Sequence, residues 1–124
     1  MRGQGKILVL EPDFGVRALL TDYFTEQGYR VLGAGDVGHA FATLQDERPD
    51  LVLLDADLLG GYAAEALRSL HRAQPNISII RVTGSLDQAL GSKAVQVIDL
   101  ARLSRAVAFA MTRKSSISEP STPN

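Results

Sequence analysis

The stretch LVLLDADLLGG, Leu51–Gly61, decides the fold. Four consecutive apolar residues end in one carboxylate, Asp55, and a second, Asp57, follows two positions later. A short and continuously apolar run is typical of a strand that is covered on both faces, as in a parallel sheet with helices on either side. A buried strand that ends on an acid has two explanations: the acid starts a turn, or it lies at the mouth of a site.

Apolar runs of the same kind alternate with segments of helical period along the rest of the chain. The first such segment carries apolar residues at spacings of three and four, namely Val16, Leu19, Leu20, Tyr23 and Phe24. Gly28 is expected to close this helix as a left-handed cap. Strict alternation of strand and helix indicates an α/β fold with a five-stranded parallel sheet and helices on both faces. The predicted strands are KILVL (6–10), YRVLGA (29–34), LVLL (51–54), ISIIRVT (77–83) and AVQVI (94–98).

The link between the fourth and fifth predicted strands is shorter than the others. Only about ten residues, 84–93, separate them, whereas a parallel crossover normally needs a dozen or more. We therefore expect the helix of this crossover to be missing or vestigial. The competing interpretation is that Ala94 to Ile98 form no strand. A missing helix would uncover one face of the fourth strand. Arg81, which alternation places on the same side as Ile77 and Ile79, could then reach water or an acid.

Composition and charge are those of an ordinary soluble domain. The 124 residues fit one domain, and 13 Lys and Arg against 14 Asp and Glu give a formal net charge of −1, which supplies no basic surface for nucleic acid. There is no cysteine, and no apolar run is long enough for a signal peptide or a membrane span. We therefore expect a cytoplasmic protein without a nucleic-acid or membrane partner. It would comprise a domain at 1–112 and a disordered tail at 113–124.

Acidic and hydroxyl side chains follow the ends of three predicted strands. Glu11 and Asp13 come after the first strand, Asp55 and Asp57 after the third, and Thr83 ends the fourth. The carboxyl ends of parallel strands meet at one edge of a sheet, where open α/β folds bind their ligands. Clustered carboxylates repel one another unless a cation lies among them, and hard oxygen ligands suit Mg²⁺. A carboxylate beside such a metal can act as a nucleophile toward a phosphoryl group, and Asp55 is the candidate acceptor.

Three segments, KILVLEPDFGVRALL, PDLVLLDADLLGG and IIRVTG, resemble the corresponding segments of response-regulator receiver domains of two-component signalling. The resemblance covers roughly 6–111 and implies a flavodoxin-like fold with strand order 2-1-3-4-5. It implies phosphoryl transfer from a histidine kinase or phosphotransfer protein to Asp55, with Thr83 as the switch hydroxyl. It also implies that Mg²⁺ is held by Glu11, Asp55 and the backbone carbonyl of Asp57. Any catalysis would be limited to self-phosphorylation of Asp55 and slow loss of the phosphoryl group.

The chain departs from the family pattern at two places. The family usually has two consecutive acids after the first strand, and here Pro12 holds the second position, so that Mg²⁺ binding is expected to be weakened. Asp13 is one residue further on, where it can instead cap the following helix. The family also carries a Lys just after the fifth strand, whereas the matching place in this chain has Gln96 or Val97.

These departures leave two functional hypotheses open. In the first, a receiver domain is phosphorylated on Asp55 and signals through changed contacts with a downstream protein. In the second, a pseudo-receiver keeps the fold as a phosphorylation-independent interaction or dimerisation module. In either case we expect a homodimer through the face formed by the fourth strand, the fifth strand and the last helix.

A nucleotide-binding enzyme is disfavoured as a third hypothesis. No phosphate-cradling glycine loop follows the first strand, where the acids would repel a phosphate. The run Gly33-Ala34-Gly35 follows the second strand instead and is interpreted as turn chemistry. His39 and His71 fall on predicted helix surfaces and are expected to face solvent.

Overall fold

The computed structural model describes residues 5–55, 63–82 and 93–118. Four strands and four helices occupy these ranges and alternate from the first to the last; residues 83–92, between β4 and α4, fall outside the described residues. In chain order they are β1 (Lys6–Leu10), α1 (Phe14–Glu26), β2 (Arg30–Ala34), α2 (Val37–Glu47), β3 (Leu51–Asp55), α3 (Ala63–Ala73), β4 (Ser78–Val82) and α4 (Lys93–Ser118).

The strands form one parallel sheet in the order β2-β1-β3-β4. This order confirms the first four positions of the order 2-1-3-4-5. Leu10, the last residue of β1, lies opposite Ala34 of β2 and Leu54 of β3. The central strands are covered on both sides, which is why they are continuously apolar: residues 7–10 of β1 and 51–54 of β3 are all buried.

Side chains pack in two layers, one on each face of the sheet. On one face α1 and α4 cover Ile7 and Val9, and burial in this layer raises the pKa of the Tyr29 hydroxyl. On the other face α2 and α3 cover Leu8 and Leu10. The helical residues at the centre of the two layers are Leu20, Phe24, Leu103 and Val107 on the first face, and Ala40, Leu44 and Leu70 on the second.

The ends of the first two helices follow from local chemistry. Asp36 caps α2, where its Oδ1 accepts a hydrogen bond of 2.8 Å from the amide of His39. Gly28 follows α1 with φ of 100°, and the next amide, of Tyr29, donates to the carbonyl of Phe24. Only glycine adopts this left-handed conformation without strain, so the prediction that Gly28 closes α1 is confirmed.

Hydrogen bonds and ion pairs connect the amino ends of the strands, at the edge of the sheet opposite Glu11 and Asp55. The backbone amide of Lys6 donates to Asp50 Oδ2 at 2.9 Å, and the amide of Asp50 donates back to the Lys6 carbonyl at 2.8 Å. Glu47 Oε1 lies 3.5 Å from Lys6 Nζ and 3.4 Å from Arg30 Nη2. These pairs are partly exposed, so they orient the chain more than they stabilise it.

The placement of a strand at Ala94 to Ile98 is wrong. Ala94 to Ile98 lie within α4, which begins at Lys93, so the described part of the sheet has four strands. The competing interpretation, that these residues form no strand, holds for this segment. Ala94, Val97 and Ile98 have the spacing of three and four that also suits a helix, and the pattern continues to Leu100 and Leu103. A five-residue apolar run cannot be assigned by periodicity alone.

The last helix is also longer than the sequence pattern predicts. It ends at Ser118, so residues 113–118, which were expected to belong to the tail, are helical. The predicted loss of the helix before it falls on 83–92, which lie outside the described residues. No helix in the described ranges is both long enough and apolar enough to cross a membrane.

Arg81 is exposed, as predicted. It lies opposite Leu54 in the register of β3 with β4, on the face that also carries Ile77 and Ile79. β4 is the edge strand of the described sheet, so the guanidinium reaches water at little cost in desolvation.

The packing of α4 on the sheet can be tested by truncating one buried and one exposed side chain. Leu103 is 9% exposed and Phe109 is 64% exposed. We expect Leu103→Ala to lower the free energy of unfolding by about 2 to 4 kcal/mol because it leaves a cavity under the helix. Phe109→Ala should change it by less than about 0.5 kcal/mol although the side chain is larger. Urea denaturation of both variants measures the difference, and equal effects would contradict this position of α4.

Candidate functional site

The register of the sheet brings Glu11 and Asp55 to one edge. Leu10 of β1 is paired with Leu54 of β3, and these two residues are followed along the chain by Glu11 and Asp55. Asp55 is paired in turn with Val82, the last residue of β4. The backbone therefore places the two predicted acids at neighbouring positions at the carboxyl ends of adjacent central strands. The side chain of Asp55, and all of Asp57 and Thr83, lie outside the described residues.

Glu11 is a buried carboxylate, only 1% exposed. Its amide donates to the carbonyl of Ala34 at 3.0 Å, which prolongs the β1–β2 pairing by one residue. Its Oε2 accepts a hydrogen bond of 2.9 Å from the amide of Asp13. An ionised carboxylate is costly to bury unless hydrogen bonds or a cation compensate its charge, so the position of Glu11 next to Asp55 is what a cation site would require.

Asp13 does not join this acidic group through its side chain. Its Oδ1 accepts a hydrogen bond of 3.0 Å from the amide of Val16, and the residue is exposed as the N-cap of α1. The prediction that Asp13 caps the helix is thereby confirmed. Pro12, also exposed, forms the bend between Glu11 and Asp13 and offers no side-chain oxygen. Of the three residues that follow β1, only Glu11 has a buried carboxylate.

Arg17 belongs to this edge, and sequence reasoning did not identify it. It lies one turn into α1, half-buried, and its Nη1 donates a hydrogen bond of 2.6 Å to the carbonyl of Glu11. Its guanidinium carbon lies 5.5 Å from the centre of the Phe14 ring, within range of a cation–π contact. The available signal was the pair Gly33 and Gly35, because glycines at a strand end mark a close approach by another group.

The histidines contribute no metal ligand in the described structure. His39 and His71 are both exposed, on α2 and α3, as predicted. Within 5–55, 63–82 and 93–118, no three His, Cys, Asp or Glu side chains are grouped as a metal site. A cation at the carboxyl edge would depend on oxygen atoms of Asp55 and Asp57 in addition to Glu11.

Comparison with known proteins gives a consistent family. The family model described as "Response regulator receiver domain" matches residues 7–101. Sporulation initiation phosphotransferase F of Bacillus subtilis is 37% identical over 90 residues, which are 71% of this chain and 73% of that protein. The DNA-binding response regulator MtrA of Mycobacterium leprae is 33% identical over 82 residues, which are 66% of this chain but only 36% of that protein. The chain thus spans little more than a third of the longer regulator.

Solved structures show the same fold. The signal receiver domain of a putative Luxo repressor protein from Vibrio parahaemolyticus superposes with a TM-score of 0.73 at 20% identity, over 100% of both chains. The response regulator TrrA from Thermotoga maritima, solved in complex with Mg²⁺-BeF, gives a TM-score of 0.57 at 26% identity, over 67% of this chain and 70% of that one. The predicted flavodoxin-like α/β fold is confirmed.

The role of Asp13 can be tested through the stability of the domain. Asp13→Ala should lower the free energy of unfolding by about 1 kcal/mol, because the amide of Val16 loses its acceptor. Asp13→Ser should retain most of that stability, since a serine hydroxyl also caps helices. Thermal or urea unfolding of both variants measures the difference. Equal losses in the two variants would show that Asp13 acts through its charge and not as a cap.

Proposed function

This chain belongs to the receiver-domain family of response regulators, and from that membership we propose that it accepts a phosphoryl group on Asp55 from a histidine kinase or phosphotransfer protein. The observation that carries the proposal is the placement of Glu11 and Asp55 at neighbouring positions on the carboxyl edge of the sheet. A buried carboxylate beside a strand-end aspartate is the arrangement that a metal-assisted phosphoryl acceptor needs.

Asp55 would act as the nucleophile. One carboxylate oxygen attacks the phosphorus of the donor, and the bond between that phosphorus and the donor's leaving atom breaks with its electron pair going to the donor. The product is an acyl phosphate on Asp55. Thr83, directly after β4, would then donate a hydrogen bond from its hydroxyl to a phosphoryl oxygen, so that the chemical event shifts the segment that follows β4.

Mg²⁺ would be held by the carboxylates of Glu11 and Asp55 and by the backbone carbonyl of Asp57. All three are hard oxygen ligands, which suit this cation, and the burial of Glu11 fits a role as a fixed ligand. When bound, Mg²⁺ supplies positive charge to the phosphoryl oxygens. Pro12 contributes no ligand, so the affinity for Mg²⁺ should be lower than in a site with a second acid.

The phosphorylated domain would signal through altered contacts with a downstream protein. Two surfaces are a second element of this proposal: the β4 edge of the described sheet, where Arg81 is exposed, and the outer side of α4, where Phe109 is exposed. They lie on opposite sides of the sheet. Exposed aromatic and arginine side chains are enriched at protein interfaces, and these surfaces would also serve a homodimer.

A pseudo-receiver remains a second candidate, and two observations favour it. Pro12 takes the place of an acid, while Asp13 is engaged as a helix cap. The segment in which the family places its Lys is helical here, since Gln96 and Val97 lie in α4. Such a module would bind its partner without phosphorylation, and binding would be unchanged in Asp55→Asn.

The proposed function can be tested with a small-molecule phosphodonor. Incubation of the protein with acetyl phosphate and Mg²⁺ should add the mass of one phosphoryl group, and chelation of Mg²⁺ should abolish the gain. Asp55→Asn should not gain this mass, because an amide is not a nucleophile of this kind. Asp46→Asn, which changes an exposed aspartate on α2, is the matched control and should gain it like the parent protein. An unmodified parent protein at saturating Mg²⁺ would favour the pseudo-receiver.

The effect of Pro12 on the cation site gives a gain-of-function test. Pro12→Asp should lower the Mg²⁺ concentration that gives half-maximal phosphorylation by about tenfold, because a further carboxylate adds negative charge to the ligands of the cation. Pro12→Asn, which restores the backbone amide but not the charge, is the control and should have a much smaller effect. If both variants lower this concentration equally, the affinity for Mg²⁺ is limited by the backbone at position 12 and not by the missing acid.

A further inference from the structure

We propose that Arg17 is a positioning residue for the cation site: its guanidinium fixes the main chain of Glu11, and Gly33 and Gly35 provide the space that this requires. The inference rests on the proposed function, since it concerns the binding of Mg²⁺ at the carboxyl edge. Arg17 itself contacts neither the cation nor the phosphoryl group in this account. It acts through Glu11 alone.

Arg17 makes a short, charge-assisted contact with the segment that carries the buried acid. Its Nη1 lies 2.6 Å from the carbonyl oxygen of Glu11, and hydrogen bonds from an ionised donor are roughly twice as strong as neutral ones. Phe14 flanks the guanidinium at 5.5 Å from its ring centre. Phe14 is 74% exposed and Glu11 only 1%. The contact of Arg17 with Phe14 therefore lies near solvent, and its contact with the Glu11 carbonyl lies further inside.

Two glycines allow the arginine to lie across the end of β2. A Cβ atom built on Gly33 would lie 3.2 Å from Arg17 Cδ and 3.3 Å from Cγ. A Cβ atom on Gly35 would lie 3.0 Å from Arg17 Nη1, which is the nitrogen that bonds Glu11. Neither glycine has a positive φ, so backbone conformation does not require glycine at either position. What they provide is room for the side chain of Arg17.

The anchored carbonyl controls where the carboxylate of Glu11 lies. The Glu11 amide is bonded to Ala34, its carbonyl to Arg17, and its Oε2 to the amide of Asp13. A rotation of the Glu11–Pro12 peptide would break the Arg17 contact and would also carry the Asp13 amide away from Oε2. Because Pro12 has no N–H, the Glu11–Pro12 peptide has no donor of its own to resist that rotation. Arg17 therefore supplies the restraint, and the remaining acid ligand of this loop depends on it.

The inference can be tested by removing the anchor and, separately, by displacing it. Arg17→Met keeps most of the apolar stem but removes the donor, while Gly35→Ala keeps Arg17 and pushes its Nη1 aside. Each should raise the dissociation constant for Mg²⁺, measured from amide shifts in NMR titrations, by about tenfold, the lower end of the range for groups that orient a metal ligand. The phosphorylation rate at saturating Mg²⁺ should change by less than about twofold. Arg17→Lys should fall between the parent and Arg17→Met.

A second readout needs no metal. Hydrogen exchange of the Asp13 amide, which is bonded to Glu11 Oε2, should be faster in Arg17→Met and in Gly35→Ala without Mg²⁺. The double variant should show no further loss of Mg²⁺ affinity beyond either single change, because both act on the same contact. Arg30→Met removes an arginine from the opposite edge, and Gly38→Ala adds a methyl group to the exposed surface of α2. Both controls should keep the parent affinity.

The outcomes separate the inference from the function on which it rests. If the parent protein binds no Mg²⁺ and is not phosphorylated, the proposed function and the positioning role are both overturned. If the parent binds Mg²⁺ and the Arg17→Met and Gly35→Ala variants bind it equally well, only the positioning role is overturned. Additive losses in the double variant would also overturn it, since the two changes would then act independently.

Discussion

The parallel pairing of β1 with β3 is the constraint on which the rest of the structure depends. It sets Leu10 opposite Leu54, and each of these residues is followed by an acid. A shift of one residue in this register would exchange the faces of the β3 side chains, draw Asp50 or Asp55 toward the buried layers and separate Glu11 from Asp55. Because residues 7–10 and 51–54 are buried on both faces of the sheet, packing fixes the register strongly. The core of the domain and the position of the site therefore have one cause.

The helix α1 links that core to the carboxyl edge. Its inner face contributes Leu20 and Phe24 to the layer shared with α4. Its first turn supplies Asp13 as the cap and Arg17 as the partner of the Glu11 carbonyl. The same helix thus stabilises the sheet and restrains the loop that follows β1. Glu11 is the only one of the three residues after β1 with a buried carboxylate. Its position therefore matters more for the cation site than it would if a second acid of the loop were also a ligand.

Patterns that involve neighbours in sequence were sufficient to predict most of the fold. The continuous apolar runs predicted the first four strands and their parallel sheet, and the glycine at position 28 predicted the end of α1. The error at Ala94 to Ile98 arose because a short apolar run fits both a strand and a helix, and the packing of α4 as a whole decides between them. The departure from the family pattern at Pro12 was also visible in the sequence, because the residue type alone shows that no acid is present there.

Arg17 illustrates what such patterns omit. Its partner Glu11 is six residues away, and the glycines that make room for its side chain lie in β2 and directly after it, so only the folded chain shows these residues together. Gly33 and Gly35 were interpreted as turn residues because glycine is common in turns. The structure assigns them a different role, since neither has a positive φ and both face the side chain of Arg17.

The central claim, that Glu11 and Asp55 share one cation site, is tested most directly by paramagnetic NMR with Mn²⁺ in place of Mg²⁺. Substoichiometric Mn²⁺ should broaden the amide signals of Glu11, Asp13 and Asp55 together, and excess Mg²⁺ should restore them. The amides of Lys6 and Asp50, at the opposite edge of the sheet, should remain sharp. Broadening of Asp55 without Glu11, or of exposed acids across the surface, would contradict the account.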